Sequence, residues 1–321
     1  MDIFLQQIIN GIVLGSIYAL VALGYTMVYG VLGLINFAHG EVLMVGAMVA
    51  FSAITLISGV NPDLPGWLLL TLGMLVAIPV CMAVSWGIER LAYRPLRNAP
   101  RLAPLITAIG VSITIQTLAM LIWGRNYLIF PTTLSVDPIT LLHFAPSAEA
   151  DYERTVTITP IQILIVIGAA LLMLGLTYMV NKTRLGKAMR ATSENPDIAS
   201  LMGINPNFII SATFVIGAAL AGVAGVMVAA NYSVAHFYMG FLPGLKAFTA
   251  AVVGGIGNVY GAMLGGLLLG VVESLGAGYL GPLTGGFLGS NYQDIFAFAV
   301  LILVLTLRPS GLLGEKVSDR A

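Results

Sequence analysis

Long apolar runs, broken by short polar punctuation, dominate the chain. Nine stretches carry almost no charge: residues 8–31, 42–57, 67–88, 102–123, 160–180, 208–230, 241–255, 262–275 and 294–307. A membrane-crossing helix needs about 20 mostly apolar residues, and most of the nine approach or exceed that length. The runs are continuous and rich in Leu, Ala and Gly. They lack the ten-residue apolar/polar alternation of barrel strands, so helices are expected. The pair 241–255 and 262–275 is short and reads as two helices joined inside the membrane. The fold class that follows is all-α, a polytopic transmembrane helical bundle of about 8–10 spans with some short or broken helices. Residues 1–321 read as a single transmembrane domain.

Composition strengthens this reading. Of 321 residues, 14 are Lys or Arg and 14 are Asp or Glu, so 9% are charged. A soluble domain carries about 25%. Hydrophobic residues make up 58%, before 37 glycines are counted. A soluble globule could not hide that much apolar side chain from water, so membrane lipid is the expected solvent. A soluble enzyme is nearly excluded, and so is a nucleic-acid binder, which needs a basic face. Met1-Asp2-Ile3-Phe4 lacks a basic stretch, and the apolar run continues past Val28, so the N-terminus reads as a first span and not a cleaved signal. Cys81 lies inside an apolar run and reads as a small core hydrophobe. One cysteine and three scattered histidines offer no metal-ligand spacing.

The few charges are unevenly spread. Arg90, Arg94, Arg97 and Arg101 cluster in one short loop, and Lys182, Arg184, Lys187 and Arg190 in another. Arg308, Lys316 and Arg320 sit in the C-terminal tail. The positive-inside rule makes all three clusters cytoplasmic. The stretch 124–159 holds Asp137, Glu149, Asp151 and Glu153 against Arg125 and Arg154, and is expected outside, as is the Gly/Pro-rich loop 276–291. Nine crossings then put the N-terminus in the periplasm and the C-terminus in the cytoplasm.

The cytoplasmic loop at about 181–205 is more than a basic connector. Arg184, Lys187, Arg190 and Glu194 fall three, three and four residues apart, one face of a short helix, while Leu185, Ala188, Met189 and Thr192 share another. Asn195-Pro196 ends it. Asp197 is expected to cap a second short helix through Met202, with Gly203 in the left-handed position after it and Asn205-Pro206 launching the next span. Two capped helices in succession suit a rigid knob that docks a partner. An ordinary basic loop accounts for the charges but not for the caps.

Polar groups inside the apolar field are the other candidates. Asn36-Phe37-Ala38-His39-Gly40-Glu41 interrupts the first two runs. It reads either as a turn or as a broken helix lining a cavity, with Asn36 capping a first turn that carries His39 and Glu41. Lys246 and Glu273 are isolated charges in later runs. They are free to pair with each other, Glu41 is a rival partner, and Lys246 is equally able to snorkel to the interface. Gly257, Gly261 and Gly265 recur every four residues, a stripe suited to close helix packing in lipid. No catalytic constellation stands out. No Gly-x-x-x-x-Gly-Lys-Ser/Thr loop is present, so any ATP consumed must be hydrolysed by another chain.

At this point the motifs resemble a known family. Leu34-Ile35-Asn36-Phe37-Ala38-His39-Gly40-Glu41, the segment from Ile88 to Arg97, the loop from Arg184 to Pro196 and Leu245-Lys246-Ala247-Phe248-Thr249-Ala250-Ala251-Val252-Val253-Gly254-Gly255-Ile256-Gly257 are similar to signatures of the branched-chain amino acid ABC transporter permeases, LivH-type branch. The likeness extends from Leu5 to Gly314. It implies an ABC importer permease fold in the bacterial inner membrane. It also implies partners: a homologous second permease subunit, two cytoplasmic ATP-binding subunits that hold ATP and Mg, and a periplasmic substrate-binding protein. This chain would bind no cofactor and be no enzyme itself. The resemblance gives ATPase coupling to Arg184, Gly186, Lys187, Ala188, Arg190, Glu194 and Asn195, and pathway or gating roles to Asn36, His39, Glu41, Lys246 and Glu273. A urea or short-amide importer is the nearest alternative. An ATP-independent channel or carrier would leave the docking loop unexplained.

Overall fold

Each apolar run becomes a helix. The computed structural model describes residues 2–97, 99–100, 102–131, 134, 137–144, 154–286, 292–308 and 310–314. In chain order the helices are α1 (Asp2–Leu32), α2 (His39–Val60), α3 (Gly66–Ile88), α4 (Leu102–Trp123), α5 (Pro160–Lys182), α6 (Arg184–Glu194), α7 (Pro196–Leu201), α8 (Pro206–Tyr232), α9 (Phe241–Gly254), α10 (Val259–Leu283) and α11 (Gln293–Leu307). Seven of these, α1 to α5, α8 and α10, are long and apolar enough to cross a membrane. The shorter α9 and α11 complete nine apolar helices among the described residues.

Burial separates an inner set from an outer one. In their most apolar stretches α1 and α8 are each 72% buried, against 17% for α4 and 22% for α5. A helix that is apolar all round belongs in a core, and α1 fulfils this from Val13 to Val28. On the outer helices Ile106, Leu121 and Leu171 stand free of protein, as lipid-facing side chains do. The α1–α10 crossing is tight: a Cβ on Gly266 or Gly270 would strike the backbone of Ala19 or Gly15. Small residues permit such approach where lipid provides no hydrophobic drive between helices.

Helix starts follow the polar punctuation. Thr159 and Gln162 form a reciprocal capping box before α5, with Pro160 in its first turn. Asn205 accepts from the N–H groups of Asn207 and Phe208 ahead of α8, and Asn258 caps α10 through Gly261. Gly203 has φ +83°, the left-handed position expected after α7. The cap of α7 is Asn195 and not Asp197. Pro196 takes the first helical position, which puts the cap two residues earlier, and the Asn195 side chain accepts from both Asp197 and Ile198.

Other expectations need correction. α10 runs 25 residues from Val259 to Leu283, so the second member of the supposed short pair is full length and its loop begins at Thr284, not at 276. The apolar count stopped before Gly276, where glycines and Pro282 read as a loop, yet the helix runs on through them. α9 is short as expected: its 14 residues rise about 21 Å, against about 30 Å of hydrocarbon. Gly257 does not belong to the packing stripe. It sits in the α9–α10 turn with φ +96° and open space around it, whereas Gly261 and Gly265 meet the backbone of Gly254 and Ala250. Arg90 and Arg94 are not in a loop, because the helix continues as a π turn (Glu89–Tyr93) and a 3-10 turn (Arg94–Leu96), with Arg97 just after it.

The bundle is also not purely helical. The stretch 124–159 contains β1 (Leu128–Ile129), β2 (Ile139–Phe144) and β3 (Arg154–Ile158), and β4 (Val234–Ala235) follows α8. β2 pairs antiparallel with β3, and β1 with β4. Gln6 of α1 exchanges two hydrogen bonds with the backbone of Thr157, which fixes the hairpin at the N-terminal end of the bundle. Alternating Thr155-Val156-Thr157-Ile158 is the pattern that carries β3. Arg101, Glu149, Asp151, Glu153, Lys316 and Arg320, together with 287–291 of the expected external loop, lie outside the described residues.

At the opposite end of the bundle, Arg97 donates to Asn207 at the start of α8, and Asn181 at the end of α5 donates to Tyr260 at the start of α10. Asn258 donates to Leu313 of the tail. The described members of the three basic clusters therefore share one end, away from the β2–β3 hairpin.

Candidate functional site

Two cavities flank the start of α9, and each holds a carboxylate. The first, about 410 Å³, lies between α2, α4 and α9. Gly40 of α2 packs on Gly240 and Gly244, so closely that a Cβ on Gly40 would meet the Gly240 carbonyl at 2.6 Å. That approach sets Glu41, one residue on, at the cavity wall. Glu41 is 1% exposed. Its Oε1 accepts from Ser112 Oγ at 3.1 Å and from Gln116 Nε2 at 2.6 Å, and both donors line the same cavity. Its Oε2 has no hydrogen-bond partner among the described residues. Tyr25, Phe37, Tyr238 and Phe241 supply aromatic wall, and Ile109, Ile113 and Leu245 aliphatic wall.

The second cavity, about 380 Å³, lies among α1, α8, α9 and α10 and shares Tyr238 with the first. Here Lys246 Nζ reaches Glu273 Oε1 at 2.6 Å and Asp294 Oδ1 at 2.5 Å. Tyr18 donates to Glu273 Oε2 at 3.0 Å, and the lysine head lies over the Tyr18 ring. Of the open pairings, Lys246 with Glu273 is the one formed. Lys246 does not snorkel, and Glu41 is not its partner.

Asn36 and His39 line neither cavity. Asn36 Oδ1 accepts from Ala38 N–H and from Tyr93 Oη, so it shapes the joint before α2 and is not the helix N-cap, which is Ala38. His39 is buried edge-on to Tyr25, ring centroids 4.9 Å apart, where Gly24 leaves room for its ring. Both residues stand behind the wall that carries Glu41.

The knob forms as read. Thr183 caps α6 through the Gly186 N–H, and Arg184, Lys187, Arg190 and Glu194 are exposed. Met189 and Thr192 are buried, and Ala188 is half-buried. Gly186 is not on the outer face: a Cβ there would run into the carbonyl of Val180, so its part is to let α6 fold back on α5. Arg190 donates to that same carbonyl at 2.6 Å, a cation on the last turn of α5. Asn195 is exposed in its capping role. Beyond it Ile198, Leu201 and Met202 present apolar side chains 58%, 87% and 77% exposed.

Sequence reasoning missed several polar residues. Ser112 and Gln116 are spaced four apart in an apolar run, which was the available signal. Tyr18 and Asp294 gave none beyond their positions. Glu89 is fully buried, paired with Arg97 and accepting from Ser211 at 2.6 Å, and it ties the end of α3 to α8. Burial pulls the Arg97 guanidinium below its usual value, while the adjacent Glu89 works the other way.

Comparison with known proteins adds the following. The family described as branched-chain amino acid transport system / permease component matches residues 7–305. The chain is 46% identical over 312 residues to the "High-affinity branched-chain amino acid transport system permease protein LivH" of Escherichia coli (strain K12), covering 97% of this chain and 96% of that one. It is 48% identical, with the same coverage, to the corresponding permease protein BraD of Pseudomonas aeruginosa. A "Probable branched-chain amino acid transport permease protein LivH" of Methanocaldococcus jannaschii is 30% identical, covering 98% of this chain and 94% of that one.

Proposed function

Because the chain belongs to the family of branched-chain amino acid transport system permease components, we propose that it is a permease subunit of a high-affinity ATP-driven importer for leucine, isoleucine and valine. The observation that carries this is identity of 46–48% over 97% of the chain to high-affinity permeases of that system. An apolar bundle with two cavities, each holding a buried carboxylate, supports it.

In this reading the chain sits in the bacterial inner membrane, N-terminus in the periplasm. It lines the pathway together with a homologous second permease. A periplasmic binding protein delivers substrate, and two cytoplasmic ATP-binding subunits hold ATP and Mg and do the hydrolysis. The α6–α7 knob is the contact to those subunits. Its basic row and the apolar tip Ile198, Leu201 and Met202 give it both charge and buried area to offer. The knob is braced on the bundle by Gly186 and Arg190, so a push on it reaches α5 and, through the α7 turn, α8. Asn36, His39, Glu41, Lys246 and Glu273 hold or line the pathway around α9. ATP-driven closure of the partners then moves these helices between outward- and inward-open arrangements.

Uptake in intact cells tests the reading. With the gene deleted and restored, labelled leucine, isoleucine, valine and urea are supplied side by side at low concentration. Loss of the three amino acids alone, rescued by the gene, is expected. Loss of urea uptake with amino-acid uptake untouched would overturn the substrate. For the knob, Arg184→Glu and Leu201→Asp are expected to lower co-purification of the ATP-binding subunits while the chain still inserts. Normal co-purification would remove the coupling role.

A further inference from the structure

We propose that Glu41 is the docking point for the ammonium group of the transported amino acid, an assignment that rests on the importer reading above. The carboxylate is 1% exposed, and its hydrogen-bond partners among the described residues are neutral donors, Ser112 and Gln116, both on Oε1. Oε2 is left without one. Among the described residues no lysine, arginine or histidine lines this cavity, and Lys246 is engaged by Glu273 and Asp294 on the far side of α9. A carboxylate buried without a cation is costly. A primary ammonium entering the cavity supplies the missing charge and up to three donors.

The rest of the wall fits the remainder of such a ligand. Tyr25 and Phe241 offer aromatic faces, which attract an alkylammonium. Ile109, Ile113 and Leu245 offer an aliphatic surface for a branched side chain. Ile109 and Ile113 are 47% and 57% exposed, so this wall reaches the chain's own surface beside α4. The cavity's 410 Å³ falls within the range of about 300–1,000 Å³ for small-molecule sites. In the second cavity the charges are already paired inside the protein.

The test is equilibrium binding of labelled leucine to the full chain, purified in lipid nanodiscs with the subunits that co-elute, without binding protein. Two competitors divide the ligand: 3-methylbutylamine keeps the ammonium and lacks the carboxylate, and 4-methylpentanoate the reverse. The amine is expected to displace leucine and the acid to fail. Glu41→Gln, which keeps the size of the side chain and an acceptor for Ser112 and Gln116, is expected to weaken leucine by at least about tenfold. Glu41→Asp is expected to retain part of the affinity. Displacement by the acid alone would overturn the assignment, as would equal leucine binding by wild type and Glu41→Gln. So would an absence of leucine binding at millimolar ligand in a chain whose gene supports leucine uptake. Loss of gene-dependent leucine uptake in cells is the separate result that would remove the importer reading beneath it.

Discussion

Glu41 and Glu273 are the same residue type, each 1% exposed in an apolar bundle, and their surroundings are opposite. Glu273 meets a lysine on one oxygen and a tyrosine hydroxyl on the other, and the same lysine reaches Asp294. Through Lys246 the ion cluster fastens α9 to α10 and α11. Glu41 meets two neutral donors, both on one oxygen, beside an open cavity. A charge in a low-dielectric interior must be matched. At Glu273 the protein does the matching itself, so that carboxylate is a clamp. At Glu41 the match is left to come from outside, which is the arrangement a transient cationic ligand needs.

The largest effect is expected from Lys246→Met. It leaves Glu273 buried without its cation, and breaking such a pair costs about 3–5 kcal/mol. The expected readout is loss of the assembled complex from membranes, measured by detergent-resistant yield. Normal yield would break the comparison by showing that Glu273 is no clamp. Adding Glu273→Gln to Lys246→Met should restore part of that yield, because the stranded charge is gone. Losses that simply add would mean the two residues act separately. Glu41→Gln comes next, with yield unchanged and leucine uptake per assembled complex well below wild type. The smallest effect is expected from Ser112→Ala, which removes one of the two donors to Glu41 and leaves the Gln116 bond in place. It should lower uptake less than Glu41→Gln does. A larger loss than Glu41→Gln would make Ser112, and not the carboxylate, the working group.

How much of this was legible in the sequence differs between backbone and site. All nine apolar helices were readable, since runs of apolar residues and Thr-Pro or Asn-Pro starts act within a few residues along the chain. The end of α10 was not, because Gly276, Gly278, Gly281 and Pro282 read as a loop, whereas glycine and proline are tolerated in membrane helices and the helix runs on to Leu283. The candidate charges were legible as anomalies: a lone Glu or Lys in an apolar run needs a partner. Which partner was not legible. Lys246 lies 27 residues from Glu273, and Glu41 lies 75 from Gln116. Pairings at those separations depend on which helices touch, and helix contacts here rest on small residues such as Gly40 and Gly244 that occur throughout the chain. The same limit explains Gly257, which shares the four-residue spacing of Gly261 and Gly265 but falls in a turn.

The most direct test of the contrast is to measure, side by side in Lys246→Met and Glu41→Gln, both the amount of assembled complex in the membrane and the leucine uptake per complex. The account predicts that Lys246→Met loses the complex, while Glu41→Gln keeps the complex and loses the uptake. Full uptake per complex in Glu41→Gln, or a Lys246→Met complex as abundant as wild type, would contradict it.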